Sequence, residues 1–210
     1  MFGLKSLGFV TDLIEAGQFA SSHNLMVSSC GNLSMRVSED AFAITASGSH
    51  LGQLSAADIA LCSLNNPQDY DGPRPSIETS FHQKIFNVRD DVGAILHFQS
   101  PFATALACSE EPAFNLNFIP EIPAYIKKVS LVPWFAPGSE DLALAVRAAA
   151  SDQECHIIVL GNHGQIALGK DLKQMMRNAQ FFELACQIAT CSKAPLRRFT
   201  EQELMFFNNA

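Results

Sequence analysis

The chain has few charged residues and no long apolar run, and both absences narrow the class of protein it belongs to. Only 17% of its 210 residues are charged, which is low for a monomer's surface and favours burial of some surface in an oligomer. No apolar run approaches the roughly 20 residues needed to span a bilayer, so no membrane association is expected. Near the N-terminus, Asp12 and Glu15 interrupt the apolar stretch before a secretory h-region forms. We therefore expect a soluble, cytoplasmic protein.

The sequence also lacks a basic excess and any paired cysteine motif. Fourteen Lys and Arg stand against 21 Asp and Glu, and the net charge is −7. Without a basic patch, an interface that follows nucleic-acid phosphates is not expected. The six cysteines are scattered, with no CxxC pair. We predict that they act as small buried apolar residues rather than as a disulfide framework.

Hydrophobic residues make up 48% of the chain, enough for a sizeable core, and we predict one domain over residues 1–210. Helices and strands alternate along the sequence, which favours an α/β (or α+β) fold of stacked layers. Helices are predicted at 4–19, 77–88 with Ser76 as N-cap, 101–108, 140–150, 172–191 with Asp171 as N-cap, and 200–207. Strands are predicted at 33–37, 41–45, 59–64, 92–98, 129–132, 156–160 and 165–168, with a surface loop at 65–75.

Two histidines stand at positions typical of functional side chains. His97 ends an apolar strand, and His163 lies in the tight turn Gly161-Asn162-His163-Gly164. Strand ends and turns place side chains in clefts, and two neutral imidazoles begin a set of Zn²⁺ ligands. Nothing in their spacing brings the two together, so two structural histidines remain an alternative.

The segment Ser76-Ile77-Glu78-Thr79-Ser80-Phe81-His82 forms a second polar cluster. Glu78 falls in the first turn of a predicted helix, and His82, four residues later, shares its face. One interpretation is a general acid/base carboxylate whose pKa a nearby metal and partial burial adjust. The alternative is an ordinary acidic helix start followed by a partly buried histidine.

A third cluster consists of two loops rich in glycine and small polar residues. They read Gly31-Asn32-Leu33-Ser34 and Thr45-Ala46-Ser47-Gly48. Hydroxyl groups and exposed backbone amides can hold an anion without a lysine. Each loop alone is equally compatible with an ordinary turn.

Taken in order, these motifs resemble the class II aldolase/adducin family. The order is Gly-Asn-x-Ser, Thr-x-Ser-Gly, Pro-Ser-x-Glu-x-x-x-His, His-x-(His) and His-Gly, from position 31 to 164. The family includes sugar-phosphate aldolases, epimerases, dehydratases and the non-enzymatic adducin head. The resemblance implies a single layered domain, in which helices flank a central, mostly antiparallel sheet.

The resemblance also implies a role for each matching residue. Glu78 matches the catalytic acid/base, and His97 and His163 match two of three metal ligands. Gln99 stands where the third ligand, a histidine, is usual, and a neutral carboxamide is a weaker donor to Zn²⁺. Zinc is the expected ion, with Mn²⁺, Mg²⁺ or an empty site as alternatives. Family members often carry a second serine at Ile77, and the residues matching the phosphate site are Asn32, Ser47, Gly48 and Ser76.

These roles lead to three hypotheses for the function. The first is a metal-dependent aldolase-type lyase that acts on a small phosphorylated sugar or hydroxy-carbonyl compound through an enediolate. The second, suggested by Gln99 and Ile77, is a catalytically disabled, adducin-like binding or assembly module. The third is an epimerase, isomerase or dehydratase built on the same site. The resemblance further implies a homotetramer.

Overall fold

A single eight-stranded sheet lies at the centre of the fold. The computed structural model describes residues 8–66, 68–110 and 114–208. The strand order is β4-β3-β2-β1-β5-β8-β7-β6, and every neighbouring pair is antiparallel except β6 and β7. The strands are β1 Asn32–Arg36, β2 Ala41–Thr45, β3 Ile59–Ser63, β4 Tyr70–Asp71, β5 Ala94–Phe98, β6 Lys128–Val132, β7 Cys155–Leu160 and β8 Gly164–Gly169.

Helices cover both faces of this sheet and produce three layers. On one face lie α1 (Gly8–Ser22), α3 (Pro101–Ala107) and α5 (Leu172–Cys191). On the other lie α2 (Thr79–Val88) and α4 (Glu140–Ala150), which pack against each other. A final helix, α6 (Glu201–Asn208), contacts a π-helical turn at Ile122–Ile126. Among the described helices, none has both the length and the apolarity needed to cross a bilayer.

The two cores follow from the alternation of side chains along each strand. In β2, Phe42 and Ile44 point toward α2 and α4, whereas Ala43 points toward α1 and α5. In β5, Ile95 and Leu96 divide between the two cores in the same way. Because both faces are covered, β5 is buried along its whole length. The strand that carries His97 is therefore rigidly held.

The fully buried side chain of Arg89 links α2, α4 and β7 through an ion pair and hydrogen bonds. Arg89, which ends α2, forms a two-pronged ion pair with Asp91 through Nε–Oδ1 (2.7 Å) and Nη2–Oδ2 (2.8 Å). Its remaining N–H groups donate to the carbonyl oxygens of Ala150, Asp152, Gln153 and Cys155. These carbonyls belong to the end of α4, the following turn and the first residue of β7. The Asp91 carboxylate raises the pKa of Arg89, and the guanidinium lowers the pKa of Asp91.

The predicted fold, a mostly antiparallel sheet flanked by helices, is confirmed, and so is Asp171 as the N-cap of α5; Ser139 caps α4 in the same way. The side chains of Ser139 and Asp171 accept hydrogen bonds from the amides of Leu142 and Gln174, three residues further on. The first predicted helix is present from Gly8 onward, and its predicted residues before that lie outside the described ranges.

Three local predictions were wrong. Ser76 is not the N-cap of α2, because a turn intervenes and Glu78 occupies that position, just ahead of the first helical turn. The 65–75 loop contains the short strand β4, which completes the sheet edge by pairing with β3. All six cysteines are free, but only three are buried; Cys108 and Cys191 are exposed, and Cys30 is intermediate.

Candidate active site

The centre of the candidate site lies where β1 and β5 run side by side. Asn32, the first residue of β1, pairs directly with His97 near the end of β5. Strand alternation points both side chains to the face that α2 covers. The strands approach closely because residue 31 is glycine: a Cβ there would lie 2.4 Å from the His97 carbonyl oxygen, and its φ of +95° suits glycine.

The orientation of the His97 ring is set by β8. Its Nδ1 lies 3.0 Å from the backbone carbonyl oxygen of Gln165, which can only accept, so Nδ1 donates. A proton on Nδ1 leaves Nε2, the nitrogen on the cleft side of the ring, as the one that could ligate a metal. This is the arrangement in which a histidine ligates a metal while its other nitrogen is anchored to a backbone carbonyl.

His163 reaches the same point from the turn between β7 and β8. The preceding Asn162 adopts a positive φ of 52°, which tightens this turn. The rings of His163 and His97 meet edge to face, with 4.9 Å between their centroids. Burial foremost, and then the neighbouring His97, lower the pKa of His163, while Glu78 acts in the opposite direction. The neutral form that metal binding requires is thus favoured.

Glu78 completes this cluster from the start of α2. Its Oε2 lies 3.3 Å from His97 Nε2 and accepts a hydrogen bond of 2.9 Å from Asn32 Nδ2. Its Oε1 lies 3.4 Å from His163 Nε2, an electrostatic contact without hydrogen-bond alignment. One donor atom from each of the three residues lies within 4.8 Å of the others.

The donor set fits a divalent cation. Two imidazole nitrogens and a carboxylate are ligands that Zn²⁺ accepts, and catalytic zinc sites commonly use three protein ligands. Within the described ranges, the buried Glu78 Oε1 has no hydrogen-bond donor, so a cation would satisfy an atom that the protein leaves unpaired. His163 Nδ1 is also buried without a hydrogen-bond partner among those residues.

The cleft above this cluster has a volume of about 190 Å³. Its rim includes Gly48, whose φ of +78° and open surroundings leave the backbone accessible. Ile77 also lies there and is 55% exposed. Gln99 packs against Gly164, where a Cβ would come within 2.8 Å of its Cγ. All eight residues singled out from the sequence line this cleft: Asn32, Ser47, Gly48, Ser76, Glu78, His97, Gln99 and His163.

Sequence reasoning missed other parts of the site. Ser29 and Pro137 line the cleft, and the carbonyl of Gln165 orients His97. Pro137 ends the proline-rich stretch 110–137, for which the sequence predicts only the strand 129–132. Backbone groups such as the Gln165 carbonyl leave no signal in residue types. A larger groove of about 900 Å³ lies between α1 and α5, away from the histidines.

Fold and site together define an α/β protein with a candidate metal centre at the end of its central strands. Over residues 11–190 the chain matches the family described as Class II Aldolase and Adducin N-terminal domain, and it belongs to that family. The resemblance inferred from the ordered motifs is therefore confirmed. Class II aldolases depend on a metal ion, and the Glu78, His97 and His163 cluster is a candidate site for one.

The relatives carry out different reactions. The chain is 26% identical over 201 residues to the 3-oxo-tetronate 4-phosphate decarboxylase of Haemophilus influenzae, with 94% of each chain covered. It is 31% identical over 179 residues to the L-fuculose phosphate aldolase of Methanococcus maripaludis, covering 85% of this chain and 94% of that one. The crystal structure of YgbL from Klebsiella pneumoniae is similar, with a TM-score of 0.88, 25% identity, and coverage of 98% and 100%.

Proposed function

We propose that the protein is a metal-dependent carbon–carbon lyase acting on a small phosphorylated sugar or hydroxy-carbonyl compound. The observation that carries this proposal is the convergence of Glu78, His97 and His163 at the base of one cleft. A decarboxylase and an aldolase among the relatives support the class of reaction. Both reactions break a carbon–carbon bond and leave an electron pair next to a carbonyl group, as an enediolate.

His97 and His163 would hold the cation, with Glu78, Gln99 or water as further ligands until a substrate binds. A bound divalent cation supplies Lewis-acid stabilisation for negative charge on the substrate's carbonyl oxygen, an effect of several kcal/mol. Glu78 is the residue that moves the proton: its buried Oε1 faces the cleft and is free of hydrogen bonds to the described residues. It would take a proton from the substrate hydroxyl group in an aldol cleavage, or from water in a decarboxylation, and deliver it to the carbon that bond cleavage leaves with an electron pair.

The substrate phosphate is proposed to bind at the mouth of the cleft. The side chains of Asn32, Ser47 and Ser76 and the accessible backbone at Gly48 offer neutral hydrogen-bond donors to its oxygens. Ile77 adds an apolar surface beside them and no donor. We therefore expect fewer phosphate contacts than in family members with a serine at that position.

Metal content per chain is the first test. Elemental mass spectrometry of protein purified without chelator or a metal-affinity tag is expected to give about one divalent ion per chain, with Zn²⁺ favoured by the histidines and Mn²⁺ or Mg²⁺ as alternatives. His97→Ala should lose the ion. His156→Ala should keep it, because His156 lies near the start of β7, at the end of that strand away from His163.

Turnover is tested on the two compounds that the relatives' names identify, 3-oxo-tetronate 4-phosphate and L-fuculose 1-phosphate. Release of carbon dioxide would assign decarboxylation, and release of two shorter carbonyl compounds would assign aldol cleavage. Isomerised or dehydrated products of unchanged carbon number would contradict a lyase and favour the epimerase or dehydratase hypothesis. Turnover unaffected by Glu78→Gln would contradict the role assigned to Glu78.

Gln99 favours a second candidate, a binding or assembly module without catalysis. A carboxamide in place of an imidazole weakens a zinc site, since it is neutral and a poorer donor. Absence of bound metal after incubation with zinc and manganese would support this second candidate. Tight stoichiometric metal at His97 and His163 would count heavily against it.

We also propose a homotetramer, as the family resemblance implies. Leu131 and Trp134, on and just after the edge strand β6, are exposed apolar side chains that an interface would cover. Light scattering at working concentration tests this proposal, and a monomer would refute it. A cytoplasmic location likewise remains a proposal, to be checked by cell fractionation.

A further inference from the structure

Behind the Glu78 carboxylate, buried polar side chains form a continuous chain of hydrogen bonds. Ser34 Oγ lies 2.7 Å from His82 Nδ1, and His82 Nε2 contacts Asn32 Oδ1 at short range. Asn32 Nδ2 then donates to Glu78 Oε2 at 2.9 Å. Ser34 and His82 are fully buried, and Asn32 and Glu78 are nearly so. None of the steps in the proposed reaction uses His82 or Ser34.

The direction of each hydrogen bond follows from the chemistry of the groups. Asn32 Oδ1 can only accept, so His82 Nε2 must carry the proton. Burial foremost, and then the neighbouring His97, hold the pKa of His82 well below its ordinary value, so the ring is neutral. A neutral ring with Nε2 protonated leaves Nδ1 as an acceptor, and the Ser34 hydroxyl donates to it.

The same chain excludes the reversed orientation of the Asn32 amide. If the amide were turned around, its oxygen would face the Glu78 carboxylate, and two acceptors would meet without a proton between them. It would also direct an N–H group at the N–H of His82. Unsatisfied buried polar groups of this kind are costly, so the Glu78 carboxylate selects one amide orientation, and the ring of His82 with its proton on Nε2 matches that orientation.

We propose that His82 is a positioning residue for Glu78: its Nε2–H fixes the amide of Asn32, and Asn32 holds the carboxylate so that Oε1 faces the cleft. This inference rests on the proposed role of Glu78 as the acid/base. The spacing is consistent with it, because His82 lies one helical turn after Glu78 on α2. Asn32 would then act on Glu78 as well as lining the phosphate end of the cleft.

A pair of substitutions at position 82 separates positioning from simple packing. His82→Gln can place an N–H group near the position of Nε2 and keep the bond to Asn32. His82→Asn is shorter: its amide lies near the position of Nδ1, within reach of Ser34, and the bond to Asn32 is lost. Both replacements are neutral, polar and smaller than histidine, so they test the hydrogen bond to Asn32.

With a substrate identified, we expect His82→Asn to lower kcat about 10- to 100-fold, as is typical for loss of a partner behind a reactive group. Because Asn32 also lines the phosphate end of the cleft, KM should rise, but by a smaller factor than kcat falls. His82→Gln should recover most of kcat. The control His156→Asn makes the same change at a half-buried histidine at the far end of β7 and should leave kcat unchanged. Equal losses in both position-82 variants, or a loss confined to KM, would overturn the proposal.

The tautomer of His82 provides a test that needs no substrate and no variant. In the wild-type protein labelled with ¹⁵N-histidine, the ring is expected to show a protonated Nε2 and an unprotonated Nδ1 at neutral pH. A protonated Nδ1 would overturn the proposal even if turnover is found. If no phosphorylated compound is turned over, the proposed function fails, and crystal structures of the two variants then test the positioning role on its own. His82→Asn should release the Asn32 amide and the Glu78 carboxylate, and His82→Gln should not.

Discussion

Removal of the buried Arg89 guanidinium should destabilise the protein more than any surface ion pair. Arg89→Met fills a similar space but removes the six hydrogen bonds that the guanidinium donates to the carboxylate of Asp91 and to four backbone carbonyls. The carbonyls of Ala150 and Cys155 belong to fully buried residues, and each buried acceptor left without a donor costs about 1–3 kcal/mol. The carbonyls of Asp152 and Gln153 can regain water, since these residues are more exposed.

The expected loss in the free energy of unfolding is therefore about 3–5 kcal/mol, a large part of the roughly 5–15 kcal/mol of a typical domain. Urea titration followed by far-ultraviolet circular dichroism, at one protein concentration, measures it. Asp91→Asn is the matched control. Its side chain is 53% exposed and the carbonyl bonds of Arg89 remain, so a loss of about 1 kcal/mol is expected. A loss below about 1 kcal/mol for Arg89→Met, with an unchanged m-value, would refute the reasoning.

Three further predictions concern the site and its surroundings. Gly164→Ala places a Cβ 2.7 Å from the Phe98 carbonyl oxygen and 2.8 Å from Gln99 Cγ, so it should weaken metal affinity measured by competition with a chelator. Glu183→Gln should lower the thermal midpoint of unfolding by a few degrees in calorimetry. The reason is that the Glu183 carboxylate accepts hydrogen bonds from two amides at the start of α3 and from the Ser100 hydroxyl. An unchanged midpoint would contradict this prediction. Ellman's reagent should label the exposed cysteines fast and the buried ones only after unfolding. Burial raises the pKa of all three buried thiols, that of Cys62 to about 12, so they react slowly in the folded protein. Fast labelling of more than three thiols would contradict the fold.

Local features of the fold were the easiest to predict from the sequence. Asp171 caps its helix through a bond to the amide three residues further on, so the residues that decide the structure are neighbours in the chain. The strand β4 was missed because two exposed residues carry no alternation, and only pairing with β3 makes them a strand. Ser76 was misplaced as a cap since serine suits both a cap and the turn before one.

The residues that line the candidate cleft could be predicted from the sequence, but the contacts between them mostly could not. The positions of Glu78, His97 and His163 in the chain say nothing about their proximity, and only the resemblance to a family brought them together. The contact between Asn32 and Glu78 depends on the pairing of β1 with β5 and on where α2 begins. The anchor of His97 is a backbone carbonyl on a third element, and residue types do not encode such a contact.

Because Asn32 pairs directly with His97, the candidate site forms only when β1 and β5 pair in the correct register. A slip of one residue between β1 and β5 would turn one of the two side chains to the opposite face, while the backbone ladder could still form. A misaligned chain could thus have native-like secondary structure and no functional centre. During refolding, the appearance of metal affinity would accordingly mark the moment at which the strands reach their final alignment, later than the signal from the strands themselves.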